Sequence, residues 1–322
     1  MKSKTPQTLL EAVRYFSNDA KCVKFLANYR WAESDGKPIC PYCGSLNICS
    51  LKSRPQYRCR EKGCTKTFSL KTGSIMENSP LPITKWVPAL WFVINHKNGV
   101  SSYEVARALG ITQKAAWHLN HRIRKAVSNG TFSKMRGVVE VDETYVGGKE
   151  INKHGMKNAT MAQWRKRQQK NGGKTVVMGM IERNSGEFRG KVVNDVKRTS
   201  LEQEIHANVE AGSVIYTDSL KSYHRMNERY THSWVDHSAG QYVNGEVHTN
   251  TMENFWSCFK RSVKGTYIHI APFHTDRYLD EQAFRYNYRK LNDAGRFETA
   301  LPKIFGKDKQ LSYAELTGRL AA

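Results

Sequence analysis

A mostly apolar run, VVEVDETYVGG at residues 138–148, is the feature that most constrains the fold of this chain. Its valines and tyrosine favour a β-strand and its final glycine pair ends that strand, so we predict a buried central strand. Glu140, Asp142 and Glu143 interrupt the apolar run. A carboxylate on a core strand is costly unless a partner stabilises it, and a divalent metal ion is a common partner. The alternative is that strand alternation turns a single acid towards solvent.

The charge balance limits the partners of the chain. Its 322 residues contain 51 Lys and Arg against 29 Asp and Glu, a net charge of +22. This excess, most of which lies in residues 1–130, points to a polyanionic partner, with nucleic acid as the first candidate. No apolar run approaches the roughly 18 residues that a membrane span needs, and the N-terminus lacks a signal-peptide core. We therefore expect no membrane partner and a cytoplasmic, nucleoid-associated location.

Two close pairs of cysteines, Cys40 with Cys43 and Cys59 with Cys64, occur within residues 35–75. Four thiolates on two tight turns suit the tetrahedral geometry that zinc prefers, so the pattern predicts a zinc ribbon with one structural Zn²⁺. Disulfides or incidental thiols are the alternative, which the lack of a secretion signal disfavours. The basic residues around the cysteines would give this ribbon a face for DNA phosphates.

A second DNA-binding pattern occupies residues 80–130. Ser101 or Ser102 caps a first helix, Gly110 ends it, and Thr112 caps a second helix. A short helix, a turn that contains glycine and a second helix with polar and basic side chains predict a helix-turn-helix. A plain helical hairpin is the alternative, and the positive charge of the region disfavours it.

The second helix of this pattern carries most of the candidate DNA contacts. We expect Gln113 and Lys114, at its amino end, to read base edges, and the later basic residues to hold phosphates. His121 is expected to point outward together with the candidate DNA-binding residues, which are Gln113, Lys114, Trp117, His118, Arg122, Arg124 and Lys125.

After the helix-turn-helix, strands and helices follow in a characteristic order. The predicted strands are at 138–148, 175–181, 187–193, 213–217 and 233–235. The predicted helices are at 201–209 and 219–229, and a further helix follows the last strand. This order is that of an RNase H-like fold, a mixed five-stranded sheet with flanking helices. A polar segment at 149–174 is expected to be a solvated, flexible loop.

Three acids are expected to meet in such a sheet. Asp142 lies on the first strand and Asp218 at the carboxyl end of the fourth, and these strands are neighbours in an RNase H-like sheet. The next helix carries Glu253 beside its apolar stripe, with Lys260 two turns later on the same side. Glu253 can therefore reach both aspartates, and Lys260 can face an anion bound there. These four residues are the candidate catalytic residues.

Together these motifs resemble those of DDE-superfamily transposases of bacterial insertion sequences, in the group with a zinc ribbon and a helix-turn-helix before an RNase H-like domain. The resemblance covers roughly residues 35–290, and its motifs are CPYCGS, YRCREKGC, GITQKAAWHLNHRIRKAV, VDETYVGG, IYTDSLKSYH, VHTNTMENFWSCFKRSVKGTYIHI and RYLDEQAFRYNYR. One departure is that four residues, where two are usual, separate Cys59 from Cys64. In this group the third catalytic position is Glu, Asn or His, so Asn250 and His248 remain alternatives to Glu253.

The resemblance implies a DNA transposase in which Asp142, Asp218 and Glu253 hold two Mg²⁺ or Mn²⁺ ions about 4 Å apart for strand cleavage and strand transfer. Its ribbon and helix-turn-helix would bind the terminal inverted repeats, and target DNA would be a further partner. Pairing of two ends implies a homodimer or higher oligomer on DNA. The expected fold is multidomain α+β, with N-terminal helices at 1–34, a zinc ribbon at 35–75, a helix-turn-helix at 80–130, an RNase H-like domain at 135–290 and a C-terminal tail at 291–322.

Two other functions remain open on the sequence alone. A zinc-ribbon and helix-turn-helix protein with an inactive RNase H-like domain would regulate transcription, and a cleavage assay would distinguish it from a transposase. A structure-specific nuclease would not need two modules that read sequence. The presence together of Asp142, Asp218, Glu253 and Lys260 favours the transposase.

Overall fold

The computed structural model of the chain describes residues 5–51, 54–128, 133–147, 174–223, 226, 229–236, 243–306 and 310–318. The chain divides into two compact units, the first formed by Met1–Ser128 with Tyr288–Ala322 and the second by Asn129–Asn287. The loop expected at 149–174 lies, except for Lys174, outside the described residues. Across those described ranges, no helix is long and apolar enough to cross a membrane.

The first unit begins with two helices and a small sheet. The helices are α1 (Leu9–Phe16) and α2 (Asp19–Arg30). The strands are β1 (Ile48–Ser50), β2 (Tyr57–Cys59) and β3 (Thr67–Phe68), which pair antiparallel in that order. Trp31, which ends α2, packs edge-on against Tyr57, and Tyr57 also contacts Phe68. Aromatic side chains therefore join the small sheet to the helix before it.

Three helices follow, namely α3 (Ile83–Asn95), α4 (Ser102–Leu109) and α5 (Gln113–Val127). Ser101 and Glu104 form a reciprocal capping box at the start of α4, and Gly110 ends that helix at φ +62°. Glycine adopts this left-handed conformation at least cost, so the turn into α5 follows from the sequence. Thr112 caps α5 by accepting the N–H of Ala115. The predicted pair of helices is confirmed.

The second unit is built on a five-stranded mixed sheet. Its strands are β4 (Val138–Val146), β5 (Thr175–Glu182), β6 (Phe188–Val193), β7 (Val214–Asp218) and β8 (Thr231–Val235). They lie in the order β6-β5-β4-β7-β8, in which β4 pairs antiparallel with β5 and parallel with β7. The run at 138–148 is therefore the central strand, and the predicted multidomain α+β fold with a mixed five-stranded sheet is confirmed.

Helices cover both faces of this sheet, and they are α6 (Arg198–Asn208), α7 (Asn250–Ser262) and α8 (Thr275–Asn287). On one face, Val141 of β4 shares a core with Ile205 of α6. On the other face, Met252 and Trp256 of α7 share a core with Phe188 of β6. Because successive residues of a strand point to opposite faces, Val141 faces α6 while Glu140 and Asp142 are turned towards α7.

Gly179 of β5 allows α7 to lie close to the sheet. It pairs with Asp142 of β4. A Cβ atom at this position would lie 2.7 Å from side-chain atoms of Met252, Phe188 and Trp256. Since such contacts are sterically forbidden, a larger residue would push α7 away from the strand that carries Asp142.

The segment 219–229, predicted to be an α-helix, differs from that prediction in its described part. There it contains a 3-10 turn at Lys221–Tyr223. The side chain of Asp218 accepts the N–H of Leu220 at 3.1 Å. An aspartate that bonds the backbone two residues later favours a tight turn over a regular helix.

Residues 288–322 return to the first unit. Their helices are α9 (Asp293–Ala300) and α10 (Tyr313–Leu316). Phe297 of α9 contacts the rings of Phe16, Phe25 and Trp91. The segment expected as a C-terminal tail thus contributes to the aromatic core of the N-terminal helices.

Candidate functional site

Four cysteines converge in the first unit. The Sγ atoms of Cys40, Cys43, Cys59 and Cys64 all lie within 4.8 Å of one another. Cys40 is 3.7 Å from Cys64, and Cys43 is 3.6 Å from Cys59. These separations are too long for disulfides, whereas Zn–S bonds of about 2.3 Å place neighbouring sulfurs about 3.8 Å apart. The four side chains therefore fit a structural zinc ion.

The surroundings of the cysteines suit both a metal and an anion. Burial raises the pKa of Cys40, but hydrogen bonds from backbone N–H groups of Tyr42 and Cys43, with others from neighbouring thiols, lower it to about 7. A thiolate is the form that binds zinc. Basic side chains are exposed around the site at Arg54, Arg58, Arg60, Lys62 and Lys66.

Asp142 and Asp218 lie just beyond the paired stretch of two parallel strands. The last paired residues of β4 and β7 are Glu140 and Tyr216, and each aspartate follows two positions later. Residues two apart on a strand share a face, so both aspartates are turned towards α7. The charge of Asp218 contributes to the raised pKa of Asp142.

Asp142 has a strongly perturbed environment. Burial first, then repulsion by Asp218 and, to a smaller extent, by Glu253, raise its pKa to about 6. Two donors oppose this change. The backbone N–H of Glu143 donates to Oδ1 at 2.9 Å, and the indole N–H of Trp256 donates to Oδ2 at 3.1 Å. Such a group gains stability when a cation neutralises it.

A cavity of about 630 Å³ opens beside Asp142. Glu253, in the first turn of α7, and Lys260, two turns later, both line it. Arg261 and Lys264 extend the basic wall of the cavity. Asp218, Asn250 and His248 are not among the residues that line it. The helix thus presents one acid near Asp142 and three cations beyond it.

The acids are less closely assembled than the cysteines. Among the described His, Cys, Asp and Glu residues, only the four cysteines form a group of three or more whose ligand atoms lie within 4.8 Å of one another. Asp142, Asp218 and Glu253 interact through their charges without forming so tight a cluster. Their carboxylate oxygens are still the kind of donor that Mg²⁺ and Mn²⁺ prefer.

Glu143 is a further acid that lines this cavity, and it was not among the candidate catalytic residues predicted from the sequence. Burial, followed by repulsion from Asp142 and Asp218, raises its pKa well above the usual range. Its Oε1 atom is buried without a hydrogen-bond partner in the described structure. An unpartnered buried carboxyl oxygen is costly, and a cation bound at the cavity would satisfy it. Its place in the apolar run was the available sequence signal.

Glu140, the third acid of that run, has a different environment. It is fully buried and pairs with Arg183, whose Nε lies 2.7 Å from Oε1. Its other oxygen accepts backbone N–H groups at the start of α7. The sequence indicated a buried acid that needed a partner, but Arg183 is 43 residues away and no local pattern links the two.

Helix α5 presents fewer side chains to solvent than its sequence suggested. Lys114 is exposed, whereas Gln113, Trp117, His118 and Lys125 are half-buried. The expectation that His121, Arg122 and Arg124 point outward is wrong, because all three are buried and Arg124 is only 2% exposed.

Packing within the first unit accounts for the burial of Arg122 and His118. The Nη2 of Arg122 donates to the carbonyl of Glu77 at 2.6 Å, and its guanidinium lies 5.5 Å from the Trp86 ring centroid. A ring nitrogen of His118 is 3.1 Å from the carbonyl of Leu311, and burial lowers the pKa of His118. Segments remote in sequence therefore cover α5, which helical periodicity alone does not reveal.

Comparison with known proteins agrees with these two sites. A transposase zinc-ribbon domain model matches residues 17–67, and an ISXO2-like transposase domain model matches residues 134–287. An "Uncharacterized protein in transposable element ISH50" from Halobacterium salinarum is 23% identical over 255 residues, 77% of this chain and 84% of that protein. An "Uncharacterized transposase-like protein" from Haemophilus influenzae is 29% identical over 101 residues, 31% of this chain and 80% of that protein.

One chain in a solved structure of the simian T-cell lymphotropic virus intasome, in complex with PP2A regulatory subunit B56 gamma, also matches. The match covers 57% of the present chain and 63% of the chain in that structure. At 11% identity and a TM-score of 0.27, this similarity is too low to indicate a shared fold. The two family matches are more informative, because the first contains all four cysteines and the second contains Asp142, Asp218, Glu253 and Lys260. The chain therefore belongs to the insertion-sequence transposases, with a zinc ribbon ahead of an ISXO2-like transposase domain.

Proposed function

We propose that this transposase binds the terminal inverted repeats of its element and catalyses metal-dependent DNA strand cleavage and strand transfer. Asp142, Asp218, Glu253 and Lys260 are the proposed catalytic residues. The observation that carries the proposal is that Asp142, Glu253 and Lys260 line one cavity. In keeping with this, burial and the charges of Asp218 and Glu253 raise the pKa of Asp142 to about 6. Perturbed acids grouped in a cleft are typical of active sites.

The donor set supports Mg²⁺ or Mn²⁺ as the cofactor, with two ions bound. The carboxylates of Asp142, Asp218 and Glu253 would hold them, and a cation bound there would also satisfy the buried, unpartnered Oε1 of Glu143. Bound metal would supply Lewis-acid activation of a water or a 3′-hydroxyl and would stabilise the leaving oxygen of the phosphodiester.

The other side chains of the cavity would bind and orient the DNA strand. Lys260, Arg261 and Lys264 form a basic wall suited to backbone phosphates. Trp256 orients the carboxylate of Asp142 through its indole N–H. Glu253 is favoured as the third metal ligand because it lines the cavity, which His248 and Asn250 do not.

Recognition of the DNA ends is assigned to the first unit. Lys114 and Gln113, at the amino end of α5, would read base edges, with Trp117, His118 and Lys125 as half-buried neighbours. The exposed basic residues of the zinc ribbon would hold phosphates. Because two ends must be brought together, a homodimer or larger assembly on DNA, at the nucleoid, forms part of the proposal.

The test uses a DNA duplex that carries one end of the element, identified from short inverted repeats flanking the gene. Asp142→Asn, Asp218→Asn and Glu253→Gln should each abolish Mg²⁺-dependent nicking and strand transfer but leave gel-shift binding nearly intact. Lys260→Ala should reduce cleavage less, because it removes one charge and no ligand. Asn250→Ala, on the same turn as Glu253, is the matched control and should cut normally.

Two outcomes would change the proposal. If Glu253→Gln cuts normally while Asn250→Ala or His248→Ala does not, the third ligand is misassigned. If all three carboxylate variants cut normally, the metal-dependent mechanism is wrong.

A further inference from the structure

We propose that Glu140 and Arg183 position the catalytic helix: together they fix the first turn of α7 on β4, so that Glu253 faces Asp142 and Asp218. Neither residue lines the catalytic cavity, so both would act on the reaction only through α7. The inference rests on the proposed function, because the importance of α7 derives from Glu253. Its structural basis is a set of contacts that join β4 to the start of that helix.

Glu140 occupies the place of a helix cap. Its Oε2 accepts the backbone N–H of Thr251 at 3.0 Å and of Met252 at 3.1 Å, and its Oε1 accepts the hydroxyl of Thr251 at 2.9 Å. The first N–H groups of a helix have no partner within the helix, and Thr249, at the N-cap position, makes no side-chain capping bond. A carboxylate at this end is also favoured by the helix dipole. A residue of the central strand thus caps α7.

Arg183 holds the chain that enters α7. Its Nε pairs with Glu140 Oε1 at 2.7 Å, and its Nη1 donates to the carbonyl of Glu246 at 2.8 Å. Its Nη2 donates to the carbonyl of His248 at 2.9 Å and lies 2.8 Å from Nδ1 of the same residue. The guanidinium also lies 4.7 Å from the ring centroid of Tyr216 on β7. One rigid fork therefore connects Glu140, the incoming segment and the neighbouring strand.

The same contacts assign a structural role to His248. Arginine nitrogens are donors only, so Nδ1 must accept the hydrogen bond from Arg183. A neutral imidazole with this arrangement carries its proton on Nε2, and neither nitrogen then has a free lone pair for a metal. His248 thereby anchors the start of α7, which supports Glu253 as the third ligand.

The contacts determine where Glu253 lies. Glu253 follows Met252 directly, and its N–H donates to the carbonyl of Thr249 at 3.0 Å. One turn later, Trp256 donates to Asp142 at 3.1 Å. Helix α7 is thus held at two points by two acids of β4, Glu140 and Asp142, which lie on the same face two residues apart. Without the first contact, α7 is free to pivot about the second, and Glu253 moves relative to the aspartates.

The experiment compares two buried carboxylate–arginine pairs of the second unit. Glu140→Gln removes the charge that caps α7. Glu281→Gln is the matched control, because Glu281 is 1% exposed and pairs with Arg285 within α8. Both variants are measured as zinc-loaded full-length protein, by hydrogen exchange of the first turn of α7 without Mg²⁺ and by Mn²⁺ affinity from electron paramagnetic resonance.

Glu140→Gln should speed exchange at Thr251 and Met252 at least about tenfold, the factor that corresponds to losing a hydrogen bond to a charged group. It should also weaken Mn²⁺ binding about 10- to 100-fold, as loss of residues that orient metal ligands does. Raised Mn²⁺ should partly restore cleavage. Glu281→Gln should keep the wild-type Mn²⁺ affinity, even if its thermal stability falls. A merely structural role for Glu140 would lower stability in both variants and leave Mn²⁺ affinity unchanged.

A second variant keeps the test decisive if Glu140→Gln does not fold. Arg183→Lys retains a positive charge for Glu140 but cannot hold Glu246 and His248 at once, so it should weaken Mn²⁺ binding by a smaller factor. Wild-type Mn²⁺ affinity in whichever of the two variants folds would overturn the inference. If the Asp142→Asn variant instead binds Mn²⁺ as tightly as the wild-type protein does, the proposed function is overturned, and this inference with it.

Discussion

The four cysteines of the zinc ribbon and the acids of the proposed catalytic cavity differ in how far the fold alone assembles them. The cysteine sulfurs lie within 4.8 Å of one another, close enough to share one zinc ion. The acids Asp142, Asp218 and Glu253 come from distant parts of the sequence. The helix that carries Glu253 contacts Asp142 through Trp256, which is 114 residues away in sequence. The three acids interact through a repulsion that helps to raise the pKa of Asp142 to about 6.

The difference follows from charge and from chain geometry. Thiols on two tight turns carry less charge near neutral pH than carboxylates do, so the backbone can bring them together at less cost. Carboxylates on adjacent strands repel one another in a partly dry cavity, and the fold must hold them against that repulsion. Zinc is therefore expected to stabilise the ribbon, whereas the acids beside the cavity are expected to destabilise the metal-free unit that carries them.

The largest effect is expected at the zinc ribbon. Its strands are two or three residues long, so little apolar surface supports the module without metal. Cys59→Ser should reduce bound zinc from one per chain to nearly none and unfold the ribbon. Metal analysis and limited proteolysis measure both effects. Cys49→Ser is the control, because Cys49 is half-buried and lies outside the four-cysteine group. Clearly less than one zinc in the wild-type protein would contradict the prediction.

At the acidic site, removing a proposed metal ligand should stabilise the metal-free protein, whereas at the zinc ribbon it should destabilise the fold. The pKa of Asp142 is about 6 in the folded protein, against an ordinary value of 3.8. Folding therefore takes up a proton between these pH values, and the ionised carboxylate opposes folding above pH 6. Asp142→Asn should stabilise the Mg²⁺-free protein at pH 7.5 by up to about 3 kcal/mol, although it abolishes cleavage.

The pH dependence distinguishes this effect from a change in packing. At pH 5.5 most of the wild-type Asp142 is protonated, so the advantage of asparagine should shrink. Urea unfolding of both proteins at the two pH values measures the difference, and other titrating groups cancel in the comparison. An advantage that is equal or larger at pH 5.5 would mean that the charge of Asp142 is not the cause.

Patterns local in sequence were sufficient for much of the fold. The valines of β4 predict the central strand, and the caps at Ser101 and Thr112 predict α4 and α5. The cysteine spacing likewise predicts the zinc ribbon. Each of these features depends on residues a few positions apart, so the sequence displays them directly.

Contacts between distant segments were not predictable in the same way. Arg122 is buried because Glu77 and Trp86 pack against it, and the polar face of a helix carries no sign of such a neighbour. The pairing of Glu140 with Arg183 is similar, because the apolar run indicated a buried acid without identifying its partner. These features depend on how elements pack in three dimensions, which overrides local periodicity.

The smallest expected effect concerns DNA recognition by the first unit, which we expect to be independent of the acidic site. Lys114→Ala removes one exposed cation at the amino end of α5, where Lys114 lies 4.8 Å from the ring centroid of Tyr313. It should weaken binding to the element's end by about 1 kcal/mol relative to a scrambled duplex, the lower end for a base contact, and leave Mn²⁺ affinity unchanged. Fluorescence anisotropy at several salt concentrations measures this change.

Arg124→Ala is the informative counterpart, because its side chain is buried rather than exposed. If Arg124 stays buried in the complex, its loss should lower the stability of the protein and leave the salt dependence of DNA binding unchanged. If Arg124→Ala flattened the salt dependence in a protein of unaltered stability, Arg124 would contact DNA, and α5 would have to expose it on binding.

If Lys114→Ala weakened both duplexes equally, Lys114 would hold phosphate. A change in Mn²⁺ affinity in either variant would mean that DNA recognition and the acidic site are coupled, and the contrast between two independently assembled sites would fail.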